Sequence, residues 1–241
     1  MSSGKEKCDD QDEASPRYPA GIPGKFDKDG NVQRFPGNTI VCHLSQSSDL
    51  YASLLGLYQK LRASPHAHLY TLLPPPSWHM TLFEGVADQV RQPAYWPSDL
   101  PLDTPLAECT DHFAKKLALF DLQCDPPYRM CVRGLDPLKI GIGIHLEPRD
   151  AEEESRLRGL RDRISEALNL RHPGHESYGL HFSLAYLLRH LTEEQDADIS
   201  KLVLDHLQDA PTDFELGAPE FCTFEDMFAF KRLFYLKNQV S

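Results

Sequence analysis

Two short stretches of the chain place the same residue types at the same spacing. SWHMTLFEG carries His79, Met80, Thr81 and Leu82, and YGLHFSLAY carries His181, Phe182, Ser183 and Leu184. The loose pattern His-x-[Ser/Thr] is weak, because five of the eleven histidines satisfy it: His43, His79, His175, His181 and His190. A stricter form requires apolar residues at the second and fourth positions. His43 fails it at Gln46, His175 at Glu176 and His190 at Glu193, which leaves His79 and His181. Both lie in runs that read as strands. Side chains alternate faces along a strand, so His79 and Thr81 share one face while Trp78, Met80 and Leu82 turn to a core. His181 and Ser183 likewise share a face, backed by Leu180, Phe182 and Leu184. Each strand thus offers an imidazole and a hydroxyl to a groove.

Two imidazoles and two hydroxyls suit phosphodiester cleavage. One histidine can activate the attacking oxygen and the other can protonate the leaving oxygen near neutral pH. The hydroxyls can donate to the non-bridging phosphoryl oxygens. No metal is needed, and no metal ligand set or cofactor is assigned. His-Glu-x-x-His, Gly-x-Gly-x-x-Gly and Walker loops are absent from the sequence.

These paired His-apolar-[Ser/Thr]-apolar motifs, together with PGNTIVCHL, SWHMTLFEGV and LHFSLAY, resemble the 2H phosphoesterase superfamily of RNA ligase-like 2',3'-cyclic nucleotide phosphodiesterases. The wider wording is similar to a branch found in bacteria and fungi, and the likeness covers roughly residues 35 to 237. The resemblance implies an α+β, bilobal fold. Two pseudo-twofold-related lobes of mixed or antiparallel sheet, with outer helices, would flank a central cleft. It makes His79 and His181 the catalytic pair and Thr81 and Ser183 the phosphate-binding hydroxyls. The second hydroxyl is serine where threonine is also common in the family; both donate.

The elements that must position these residues can be read from periodicity. NTIVCHL, HLYTLL and WHMTLFEG read as strands, the second halted by Pro74, Pro75 and Pro76. Leucines at 50, 54, 57 and 61 mark a helix from Asp49 to Ala63, capped by Ser47 or Ser48. Helices are also expected over Thr104–Leu119, Ala151–Leu168 and from Thr192, where Gln195 completes a capping box. A hairpin is expected around Asp136-Pro137, and two or three strands in the aromatic C-terminal region. Residues 1–16 read as a disordered acidic tail without a secretory signal, 17–38 as an irregular arm with a small hairpin, and 39–241 as one bilobal domain.

Other residues within reach of a substrate are Tyr178, ahead of the second motif, Asn38 and His43, flanking the first strand, and Tyr128 with Arg129. Trp78 has the opposite parity to His79 and is expected in the core. The formal net charge of -11 argues against a grip on duplex nucleic acid; a small nucleotide or a short RNA end is the expected partner. The six cysteines form no Cys-x-x-Cys pair, and no apolar run is long enough to span a membrane. A reducing compartment is expected, cytoplasmic or nuclear, with a monomeric protein. The rival functions are a non-catalytic nucleotide or RNA-end binding module and, less well matched, a metal hydrolase.

Overall fold

The structure, a computed structural model, describes residues 17–238. The tail expected over 1–16 lies outside the described residues. The elements in chain order are β1 (Gly37–His43), α1 (Asp49–Arg62), β2 (Tyr70–Leu72), β3 (His79–Phe83), α2 (Leu106–Ala118), β4 (Tyr128–Leu135), β5 (Gly141–Pro148), α3 (Ala151–Leu168), β6 (Leu180–Leu187), α4 (Glu193–Leu207), β7 (Asp213–Leu216), β8 (Glu220–Phe224) and β9 (Lys231–Tyr235). The helices start where side chains can accept the orphan amides of the first turn. Ser48 caps α1, Asp150 caps α3, and Thr192 with Gln195 forms the expected capping box on α4. Asn169 ends α3 in the left-handed region, at φ 52°.

Among the described residues the strands form one nine-stranded sheet in the order β7-β4-β5-β6-β3-β1-β8-β9, with β2 also against β6. Every strand pair in it is antiparallel. The two halves of the chain therefore meet inside a continuous sheet. The halves join where β6 meets β3 at Met80 and Phe182. Beyond that point β2 takes over as partner of β6, through Leu72 opposite Ala185. The break between β2 and β3 is the proline run, which cannot supply ladder donors.

Helices cover one face. Trp78 packs its ring on Tyr51 and Tyr58 of α1 at 5.3 and 6.1 Å, as its strand parity requires. Met80, Leu82, Phe182 and Leu184 are fully buried on this side, with Leu157, Leu160, Ile164 and Leu168 of α3 in the same core. Burying each such side chain stabilises the fold by about 1.5–3 kcal/mol. The opposite face of the central strands stays open as a cleft. At one end it is walled by a second, smaller core, in which Ile22 and Phe26 of the arm meet Leu73, Leu188 and Met227. The arm is folded by an Asp-Gly turn, in which Asp27 accepts from the amides of Asp29 and Asn31 and Phe26 bridges to Val32. No helix among the described residues is long and apolar enough to cross a membrane.

Candidate active site

The two motifs lie side by side on β3 and β6. Antiparallel pairing of Met80 with Phe182 sets His79 beside Ser183 and Thr81 beside His181. A local twofold through that pair exchanges the two motifs. Each motif ends on a bulge. Opposite Ile40 and Val41, the β3 partners are Phe83 and Thr81, so Leu82 is the extra residue. Opposite Ile142 and Gly143, the β6 partners are Ala185 and Ser183, so Leu184 is the extra residue. Bulges bend and twist a strand, and here they fall at the same position of both motifs.

Both imidazoles are fixed in the same way. His79 Nδ1 lies 2.7 Å from the Ser77 carbonyl and His181 Nδ1 lies 3.1 Å from the Gly179 carbonyl. A carbonyl only accepts, so Nδ1 carries the proton and donates. A neutral ring held this way presents a bare Nε2. The surroundings of the two rings differ. His79 packs on Phe230 at 4.2 Å and edge-on to His43 at 5.7 Å. Burial, aided by the nearby His43 and His181, lowers its pKa to about 4 against the partly compensating Ser77 carbonyl. His181 is more open, and its Nδ1 lies 3.8 Å from the Asp136 carboxylate.

His79, Thr81, His181, Ser183 and Tyr178 all line one cleft of about 830 Å³, within the range of small-molecule sites. Burial drives the pKa of Tyr178 up. Its ring lies under the Arg161 guanidinium at 4.4 Å. That arginine is buried, bonds the Leu82 carbonyl and pairs with Glu84 at 3.3 Å. Lys25 of the arm also lines the cleft, with its ammonium 3.0 Å from the Tyr186 hydroxyl.

The remaining candidates separate. His43 faces His79 across β1 and β3, but its Nδ1 pairs with Glu220 at 3.1 Å. Asn38 lines the cleft, and its side chain also reaches α2. Its amide donates to Thr110 at 3.0 Å and its oxygen accepts from the Val86 amide at 3.2 Å, so both groups are spent on structure. Tyr128 and Arg129 are corrections, since neither lines the cleft. Tyr128 is fully buried, with its hydroxyl donating to the Cys124 carbonyl and Arg156 over its ring. Arg129 pairs with Glu153 at 2.9 Å and Asp150 at 3.7 Å, at the start of α3.

The sequence reading missed Asp136 and His145. His145 pairs with His181 in register, and its Nδ1 lies 3.0 Å from Asp136. The signal was present as a second echo. Ile40-Val41-Cys42-His43-Leu44 and Ile142-Gly143-Ile144-His145-Leu146 are equivalent partner strands, each delivering a histidine beside a motif histidine. Each of these outer histidines is held by a carboxylate, Glu220 or Asp136.

Donor atoms of His43, Glu220 and Cys222 lie within 4.8 Å of one another, close enough to surround a metal ion. The cluster already contains a cation, because Arg232 reaches Glu220 at 3.1 Å. Burial and Glu220 push the Cys222 thiol up to about 12, which keeps its proton on. A metal would have to displace both, so the donor set fits one poorly.

Comparison with known proteins adds the following. The family model 2H-phosphodiest, described as a domain of unknown function (DUF1868), matches residues 25–141, which include the first motif. The conserved protein of unknown function ATU0111 from Agrobacterium tumefaciens str. C58 is 30% identical, with a TM-score of 0.83, over 92% of this chain and 95% of its own. TT0787 of Thermus thermophilus is 16% identical, and LigT of E. coli in its apo form 9%. Each of these two superposes with a TM-score of 0.49 over 86% of this chain and 100% of its own. No curated protein matches the chain.

Proposed function

We propose, since the chain belongs to the 2H phosphoesterase superfamily, that it is a metal-independent phosphodiesterase hydrolysing a 2',3'-cyclic phosphate or a related small nucleotide or RNA-end phosphodiester. Membership of the superfamily supports phosphodiesterase-type chemistry in general; the substrate class and the residue roles are our reading. The observation that carries it is the symmetric pair of imidazoles. Both are fixed through Nδ1 by the carbonyl two residues earlier, and both line one cleft.

In this reading His79 is the base. Its depressed pKa leaves it unprotonated at neutral pH, so Nε2 can take the proton of an attacking water. The oxygen attacks phosphorus, one ring P–O bond breaks, and His181 returns a proton to the departing oxygen. The Asp136 carboxylate gives the imidazolium at His181 a counter-charge. Thr81 and Ser183 donate to the non-bridging oxygens. The aromatic walls of the cleft, among them Tyr178, Tyr95 and Phe230, offer apolar surface to a base or sugar.

The test is incubation with each 2',3'-cyclic nucleotide in EDTA, alongside His79→Ala and His181→Ala, with products resolved by phosphorus NMR. Ring opening by the wild type alone is the expected result. Binding of nucleotide without turnover by the wild type would favour a binding module, and turnover abolished by EDTA would favour a metal hydrolase.

A further inference from the structure

A local feature of the β4–β5 turn adds a residue to this machinery. Asp136 sits where β4 ends, and its amide donates to the Gly143 carbonyl at 2.8 Å, folding the turn back over the sheet. Its carboxylate then lies between two imidazoles: Oδ1 is 3.0 Å from His145 Nδ1, and Oδ2 is 3.8 Å from His181 Nδ1. Space for it comes from a glycine. A Cβ at Gly143, opposite Ser183 on the cleft face, would meet Asp136 Oδ2 at 2.8 Å and its Cγ at 3.5 Å. Its partner His145 is a half-exposed ring with Glu147 3.8 Å from its Nε2.

The other half of the site lacks this arrangement. The position equivalent to Gly143 is Val41, opposite Thr81. The carboxylate there, Glu220, is engaged by His43 and Arg232.

We propose that Asp136, held by His145 and admitted by Gly143, is a positioning residue for His181. It reinforces the Gly179 carbonyl on the Nδ1 side and keeps the ring's exchangeable proton position, Nε2, toward the cleft. A negative charge beside Nδ1 favours the tautomer with hydrogen on that atom. Asp136 also lines the cleft, and in this proposal it acts through the ring of His181. The inference deepens the two-histidine reading above and rests on it only for its catalytic consequence.

The test is a long-range proton–nitrogen NMR correlation of the histidine side chains at mildly alkaline pH, in wild type, Asp136→Asn and Gly143→Ala. Wild-type His181 is expected mainly as the Nδ1–H tautomer. In both variants the Nε2–H form should rise by roughly threefold, the scale of a partly exposed charge contact, while His79 stays unchanged. Gly143→Ala moves the carboxylate and leaves its chemistry intact, so it keeps the test alive if Asp136→Asn misfolds. An unchanged His181 tautomer in a folded variant overturns the proposal.

Turnover on 2',3'-cyclic nucleotides then separates the two levels. Asp136→Asn should lower kcat by about tenfold or more with KM little changed. A change in KM alone would make Asp136 a substrate contact and overturn the positioning role. Undiminished turnover by His181→Ala would overturn the two-histidine reading instead, whatever the NMR result.

Discussion

The β1–β3 half and the β5–β6 half of the site are built on one plan and finished differently. Each has a motif strand with a bulge at the fourth motif position, an Nδ1 tied to the carbonyl two residues back, and a partner strand carrying an outer histidine on a carboxylate. The first half then closes over its histidine: Phe230 packs on His79, and Glu220 is engaged by His43 and Arg232. The second half leaves His181 open and sets an acid beside it. Two like groups thus stand in unlike surroundings, and burial lowers the pKa of His79. The difference teaches that on the proposed reading the acid and base roles would be set by the neighbours, since the two motifs carry the same residue pattern.

The most severe way to break this comparison is to remove either imidazole. His79→Ala and His181→Ala should each cost about 10²–10⁴ in turnover, measured on whichever cyclic nucleotide the wild type opens. Wild-type activity in one of them would mean that only one half does proton transfer. Next come the hydroxyls. Thr81→Ala and Ser183→Ala should slow turnover by roughly tenfold to a hundredfold, each removing one neutral donor. Full activity in both would make the hydroxyls structural.

The pH dependence sharpens the contrast between the halves. His79 is pushed down from 6.5 to about 4, so the acid limb of kcat/KM should fall near that lower value. Between those two pH values the unfolded chain binds a proton at His79 that the folded chain does not. Stability therefore rises with pH across the window and is lost as pH falls through it. His79→Gln should flatten that slope in denaturant titrations, and an unchanged slope would contradict the buried, neutral assignment.

Smaller effects test the residues outside the plan. Asn38→Ala should cost about 1–3 kcal/mol of stability, because Val86 and Thr110 lose their partner. Arg129→Ala should leave kcat/KM unchanged and cost more than the roughly 1 kcal/mol of an exposed ion pair, because it removes one of two arginines from the fully buried Glu153 carboxylate. A substantial KM effect there would place a substrate contact far outside the cleft.

Much of the architecture was legible from period alone. The helical stripes, the Ser48 and Thr192 caps, the Asp136-Pro137 hairpin and the burial of Trp78 follow from local rules. The assignments of Tyr128 and Arg129 failed for a shared reason. Alternation tells which residues share a face, but not which face the helices will cover or which ion pairs a distant helix will offer. Tyr128 is fully buried with Arg156 over its ring, and Arg129 meets Glu153 on α3.

By itself, the sequence determined the paired motifs and their parity, because a strand's two-residue period is a local property of the backbone. Only the tertiary structure decided that Met80 meets Phe182, that Phe230 from the C-terminal segment closes over His79, and that the β4–β5 turn brings Asp136 to His181. Those contacts join residues far apart in the chain. They exist only once the sheet has brought its strands into register, and they are what make two nearly identical motifs chemically different.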